Sequence, residues 1–500
     1  MEAIRNLNKR RSDVDTWVKQ RRWALYLLLS VLVFSLPELT IAASSQATVF
    51  GPKIYTRTSG RPNSFQENFT ATNISSSFTL IVQNGDGGEN RIHGGRIILN
   101  GVEVVGPNDF NQPDSIRKSV TLLENNTMTV ELRSAPGGFI TVIIVRDNGY
   151  VYVNNNVQGP NTVSAFSVDA NGALTQIAGS PFATGGLGVA GGFFAANRMT
   201  IGGKFLFAAN EQTNNISVFS IDPATGVLTL VPGAPFPTGG ASGSGISLGV
   251  TPDNQFLFAS SAGSNNITAF NIAANGTLTS ISGSPFAAGG VPDGIKVSPD
   301  GRFLAVALIS NDAVGIFTIA SNGALTAVPG SPFPAAAIGA VAGVDINCAG
   351  SLLFGGEANL TGTHIDVFSI GSNGALTPIP GSPFNNQGIG INSNVVVLSP
   401  SDGHLFVSNQ VSNTITVFNV ASNGSLSLVP GSPFADPGSS PVMMATNEAG
   451  TLLYVNDGAV SVFRIGADGN LTLVPGSPFP TSFSLVQGIA AFPSKNCSQN

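Results

Sequence analysis

The chain has 500 residues, of which 42% are hydrophobic and only 10% charged, with 60 Gly, 31 Pro and a net charge of −6. So many turn-forming residues exclude a coiled coil or helical bundle, and so large an apolar share excludes a disordered chain. The acidic balance excludes a protein that tracks nucleic-acid phosphates.

The first segment differs from the rest. Residues 1–22 carry seven Lys/Arg against three acids, Trp23–Leu36 is almost wholly apolar, and Pro37-Glu38 interrupts before the small residues Ala42-Ala43-Ser44. A basic start, a short apolar run and a small-residue exit predict a secretory signal peptide over residues 1–43. A helix over Trp23–Leu36 would rise ~21 Å, short of the ~30 Å hydrocarbon core. An uncleaved anchor is the alternative. No second long apolar stretch follows, so the mature chain is expected to have no membrane span and to be secreted, periplasmic or at the cell surface.

Residues 46–146 show alternating runs at Phe78–Val82, Arg96–Leu99, Ser119–Leu123, Met128–Leu132 and Phe139–Val145, separated by Gly, Asn and Pro clusters. This pattern predicts a small antiparallel β-sandwich. Its opening, Val49-Phe50-Gly51-Pro52-Lys53 with Tyr55-Thr56-Arg57-Thr58, resembles an accessory domain of bacterial exported proteins, a likeness that carries no activity.

From residue 147 onward the sequence repeats. Pro-Gly-Ser-Pro-Phe or a close variant recurs with its Phe at 182, 236, 286, 333, 384, 434 and 479. A period near ~50 residues points to propeller blades. One unit reads as strand a over Ile295–Ser298, strand b over Arg302–Ile309, strand c over Val314–Ile319 and strand d over Ala324–Val328. Between strands c and d, Asn322-Gly323 predicts a two-residue hairpin turn. Strand c repeats its own Phe at 166, 219, 270, 317, 368, 418 and 463. The expected fold is all-β, a seven-bladed propeller over residues 147–500 preceded by the small sandwich. The motif Phe is read as a wedge between neighbouring sheets.

The chain ends on Val486–Pro493, which matches a strand a, whereas the first repeat begins directly at a strand b, Gly149–Val153. The C-terminal strand is therefore expected to complete blade 1 and close the ring. Phe139–Val145 is the rival for that slot but lacks the Gly-Ile entry and the Pro exit.

These units, a Ser-Pro-Asp-Gly turn followed by a Val-Phe-x-Ile strand and an Asn-Gly-x-Leu-Thr hairpin, resemble the seven-bladed lactonase-like propellers. That family includes 6-phosphogluconolactonase-like and carboxymuconate-cyclising enzymes and overlaps the surface YVTN repeat proteins. The resemblance covers residues 148–494. It implies blades firmly, while the family's His/Glu/Arg catalytic set does not transfer residue by residue.

Between residues 151 and 500 stand six Lys/Arg and fifteen acids. A phosphorylated or polycarboxylate lactone needs several converging cations, which argues against such substrates. His364 and His404 are not obvious general bases. Aligning the strands a places Arg198, Lys296 and Asp345 at one equivalent position facing the channel, and the b–c loops add Glu211, Asp312, Glu357 and Asp457. The candidate catalytic residues are thus Arg198 or Lys296 for oxyanion stabilisation, with Asp345, Glu211 or Glu357 to direct water.

No cofactor or metal is expected, because Cys348 and Cys497 lack the further ligands of a zinc site. Standing three blades apart, the two cysteines are expected to remain free thiols. Both Trp residues lie in the leader, which disfavours sugar binding on aromatic platforms. The preferred reading is a monomeric binding or scaffold module holding a small molecule or surface protein in the channel or on its top face. The alternative is a hydrolase that opens an uncharged or weakly charged lactone.

Overall fold

The computed structural model describes residues 48–495 and 497, apart from 59, 72–77, 86–88, 112–114, 135, 147–148, 170, 190–196, 224, 337–338, 359–363, 386–392 and 482–487. The chain divides into two units, residues 1–44 and 45–500. The expected signal peptide lies outside the described residues. No helix among the described residues is long and apolar enough to cross a membrane.

Residues 48–146 form two four-stranded antiparallel sheets. One runs in the order Thr48–Thr56, Phe139–Arg146, Phe78–Asn84, Ser115–Val120, and the other Asn63–Thr70, Asn125–Leu132, Gly95–Leu99, Val102–Val105. Successive side chains of a strand face opposite sides, so Phe78, Leu80, Val82, Ile140, Val142 and Ile144 point one way. They share a single core with Ile97, Leu99, Met128, Val130 and Leu132 of the other sheet. Phe139–Arg146 is thereby used up between Thr48–Thr56 and Phe78–Asn84.

The remaining sheets are blades, each antiparallel in the order a-b-c-d. In blade 4 these strands are Pro292–Val297, Phe303–Leu308, Ala313–Ile319 and Leu325–Ala327. In six blades the Phe-centred motif adds a short fifth strand, and in blade 7 it adds a single bridge, Phe479 to Val460. Phe333 pairs with Val314, at the start of strand c, whereas strand d pairs with its end. The motif serine fills the gap between them: Ser331 Oγ accepts the Ile316 N–H at 2.9 Å, and Ser284, Ser382, Ser432 and Ser477 repeat the bond. The Phe rings at 182, 236, 286, 333, 384, 434 and 479 are half-buried against the cores between adjacent blades. One such core joins Phe205 and Phe207 of blade 2 to Leu248 and Leu257 of blade 3. Each side chain buried this way contributes ~1.5–3 kcal/mol.

The c–d hairpins differ from the two-residue turn expected. In blade 4 the Ala320 N–H bonds the Ala324 carbonyl at 2.9 Å, enclosing Ser321-Asn322-Gly323, and only Gly323 has positive φ, +79°. This is the three-residue loop with a left-handed last residue. Asn322 contributes its side chain instead, Oδ1 accepting the Ala324 N–H at 3.1 Å. Gly323 is needed twice over, because a Cβ there would also lie 2.3 Å from Ile281 Cδ1 of the neighbouring blade.

Closure comes from the last described strand, Gly488–Phe492, which runs antiparallel to Tyr150–Asn154 with Gly488 opposite Asn154 and Phe492 opposite Tyr150. Each strand a touches the strand a on either side, so the seven form a complete inner ring.

The cysteines correct the sequence reading. Cys348 and Cys497 form a disulfide, with Cα atoms 5.0 Å apart. Three blades of separation around the circumference is not a long distance at the hub, where all the strands a converge. Five residues of chain beyond Phe492 can reach up to ~17 Å. The tail uses that reach to arrive at the a–b turns of blades 5 and 6, where Lys495 Nζ meets Asp402 Oδ1 at 3.3 Å and the Cys348 N–H donates to Asp402 Oδ2 at 2.6 Å.

Candidate functional site

The proposed equivalence of Arg198, Lys296 and Asp345 does not hold for Arg198. Strand pairing sets Lys296 opposite Ala305 and Asp345 opposite Phe354, each two residues into strand b. The corresponding residue of blade 2 is Thr200, opposite Phe207. The cause is the a–b turn. In blade 2 four residues separate Ile201 from its partner Leu206, two fewer than the six between Val297 and its partner Leu304. Arg198 consequently stands two residues nearer the b–c loop end of the channel.

There it meets Glu211. Arg198 Nε lies 2.7 Å from Glu211 Oε1, and both side chains are only 1% exposed. Glu211 Oε1 also accepts the Ile246 N–H at 3.2 Å, and Oε2 accepts Asn156 Nδ2 at 2.8 Å. One carboxylate thus gathers the b–c connection of blade 1, the first residue before strand a of blade 2 and the segment entering blade 3. Charge-assisted bonds of this kind fix the orientation of a buried carboxylate. Around it Asn154, Asn161 and Asn210 form a buried amide network, with Asn161 Nδ2 donating to Asn154 Oδ1 and Asn210 Oδ1, both at 2.9 Å.

Lys296 and Asp345 pair separately, at 2.7 Å, from blades 4 and 5. Asp345 Oδ2 accepts the Leu398 N–H of blade 6 at 2.9 Å. Burial acts to raise the Asp345 carboxyl, but the ammonium groups of Lys296 and Lys495 and the Leu398 hydrogen bond outweigh it, and the net shift is downward. The C-terminal tail is therefore part of this charge cluster.

Glu357, at the end of strand b in blade 5, is fully buried, and as an ionised carboxylate neither of its oxygens receives an N–H or hydroxyl donor. Burial first, then a hydrogen bond to Asp366 and the charges of Asp366 and Asp312, push its carboxyl up to about 9. His364 Nδ1 stands 3.6 Å from Glu357 Oε2.

The five candidates thus separate into three places: Arg198 with Glu211, Lys296 with Asp345, and Glu357 with Asp366. Sequence reasoning missed Asn156, Asp366 and the tail residue Lys495. Asp366 has a legible signal, because it stands where blades 1, 2, 3, 6 and 7 carry Ser164, Ser217, Thr268, Thr416 and Ser461.

The fold and this arrangement define a seven-bladed β-propeller with polar groups gathered along its inner strands. The chain belongs to the family of seven-bladed lactonase β-propellers, whose profile matches residues 131–241, 234–339 and 358–481. Among curated proteins none matches the chain.

Solved structures with the same fold include a candidate 6-phosphogluconolactonase from Bacteroides uniformis, 18% identical with a TM-score of 0.56, the alignment covering 68% of this chain and 99% of that one. The periplasmic gluconolactonase of Pseudomonas aeruginosa is 17% identical with a TM-score of 0.53, covering 68% and 98%. A Lactobacillus plantarum protein is 17% identical with a TM-score of 0.52, covering 69% and 99%. At these identities the likeness concerns the fold.

Proposed function

We propose that this protein is an exported lactone hydrolase acting on an uncharged or weakly charged lactone at the b–c loop end of the propeller channel. The observation that carries the reading is the contact between Arg198 and Glu211, with Asn156 fixing the second carboxylate oxygen. Opening a lactone requires a cation beside the developing oxyanion and a base for the attacking water. Glu211 takes a proton from water as the water oxygen bonds the carbonyl carbon, and Arg198 stabilises the oxyanion. The ring C–O bond then breaks and its oxygen takes up the proton, giving a hydroxy acid.

The charge inventory supports an uncharged substrate. Of the six Lys/Arg of the propeller, Lys204 and Arg302 sit in a–b turns, Lys296 is bound to Asp345, Arg464 is exposed beside the Asn171 carbonyl, and Lys495 is bound to Asp402. Arg198 alone stands at the b–c loop end, already faced by Glu211. Export is supported by the basic-then-apolar leader and by a disulfide, a bond suited to oxidising compartments. Residues 46–146 are read as an accessory domain.

A second reading, a binding module without catalysis, is favoured by the 1% exposure of both members of the pair and their bonds to blades 1 and 3. The test is hydrolysis of a panel of aldonolactones and simple γ- and δ-lactones by the purified mature chain, with R198M and E211Q as variants. Turnover lost in both variants while each keeps a cooperative melt supports the hydrolase. Turnover that survives both would move the site elsewhere. No turnover of any lactone, with the variants merely less stable, supports the binding module.

A further inference from the structure

Strands b and c of the blades are tied together near the b–c loop by a recurring neutral pair. Asn155 Nδ2 donates to Ser164 Oγ at 3.0 Å, Asn210 Nδ2 to Ser217 Oγ at 2.8 Å, and Asn409 Nδ2 to Thr416 Oγ1 at 2.8 Å. An amide supplies donors and a hydroxyl either role, so the pair is self-satisfying when buried. Blade 5 places Glu357 and Asp366 at these two positions. Blade 7 places Asp457 and Ser461 there, and a further acid, Asp436, enters from the segment after blade 6, where the segments after blades 1 and 2 have Thr184 and Thr238.

All four acids are more than nine-tenths buried: Glu357 and Asp366 at 0% exposure, Asp457 at 2% and Asp436 at 6%. Ionised carboxylates can only accept hydrogen bonds. As such, both oxygens of Glu357, both of Asp436 and Oδ2 of Asp366 have no partner. Asp366 Oδ1 takes the Ala336 N–H at 3.0 Å, and Asp457 takes Ser461 Oγ and the Ala459 N–H. The charged groups facing the first pair are Asp312, from the b–c loop of blade 4, and His364, from strand c of blade 5. Among the described residues, Asp457 is the charged group that acts on Asp436. The six Lys/Arg of the propeller are all placed elsewhere.

We propose that Glu357 and Asp366 share one proton, that Asp436 and Asp457 share another, and that withdrawing these protons loosens the b–c loop rim at blades 5 and 7. One shared proton turns an acceptor into a donor and removes a buried like-charge contact in a single step. The direction of the titration agrees: burial, then the partner acid, pushes Glu357 up to about 9, and burial, then Asp457, pushes Asp436 up to about 8. The folded state keeps each proton above the pH at which the unfolded chain releases it. Stability contributed by the pairs is therefore fully present below the ordinary carboxylate range of about pH 4, falls as pH rises above it, and stops falling once the folded pairs themselves ionise near pH 8–9. This does not depend on whether the protein hydrolyses lactones.

The experiment follows the melting temperature of the full mature chain from pH 5 to 9.5, after chelation of metal ions, beside the double variants E357Q/D436N and D366S/D436N. The variants restore uncharged donors at the two sites. The wild-type melting temperature is expected to fall more steeply with pH than that of either variant, and the variants to be the more stable at pH 9. Should one variant fail to fold, the other gives the same comparison. Wild-type and variant profiles that run parallel overturn the proposal. A rise in wild-type melting temperature on adding calcium, manganese or zinc, absent in E357Q/D436N, also overturns it, because the acids then hold a cation rather than a proton.

Discussion

The disulfide between Cys348 and Cys497 is the feature whose removal has the most calculable effect. It closes a loop of 149 residues, from blade 5 through blades 6 and 7 to the strand that completes blade 1. Cross-linking a loop of that length lowers unfolded-chain entropy by about 17 cal/mol/K, or about 5 kcal/mol at room temperature. With an unfolding entropy of ~2.1 cal/mol/K per residue over the roughly 350 residues of the propeller, that corresponds to a melting temperature about 7 °C lower. Calorimetry of C348S/C497S against the untreated protein measures it. The double variant avoids leaving one reactive thiol behind. Thiol titration of the denatured, unreduced monomer should find no free thiol. Two free thiols, or a variant that melts with the wild type, would refute the reasoning.

Deleting residues 485–500 removes the strand that pairs with Tyr150–Asn154, and blade 1 then presents an open edge on strand b. Limited proteolysis and circular dichroism should show a far larger loss of order than C497S alone, and an unchanged melt would mean the ring does not depend on this strand. The K296M variant leaves the buried Asp345 carboxylate with Lys495 alone. Because the wild-type carboxyl is held below its ordinary value, the pair stabilises the fold above pH ~4 and that contribution is lost as pH falls through the lowered value. The gap in melting temperature between wild type and K296M should therefore be wide at pH 7 and close towards pH 3. A gap that does not vary with pH would show that Lys296 acts through packing only.

Much of the architecture is local in origin and so could be read without coordinates. Alternating apolar residues define the strands, and the Pro-Gly-Ser-Pro-Phe punctuation counts the blades, because each unit solves the same packing problem against its neighbours. The hairpin shows where local reading stops. Asn322-Gly323 marks the turn correctly, but whether two or three residues close it depends on the fit of Gly323 against Ile281 of the next blade.

The site was less legible for the same reason. Arg198, Lys296 and Asp345 share a spacing of seven residues from the first residue of strand b, yet a turn shortened by two residues in blade 2 carries Arg198 to another level of the channel. That shift brings it to Glu211 and leaves Lys296 to Asp345.

What the sequence by itself determined is the all-β class, the seven blades and the lactonase-type family, since each rests on contacts between residues close in the chain. What only the tertiary structure decided is which distant charges and thiols meet. Those meetings depend on the narrow hub of the ring, where strands a from every blade converge. There a short tail can join Cys497 to Cys348 across a separation that the repeat count makes look wide.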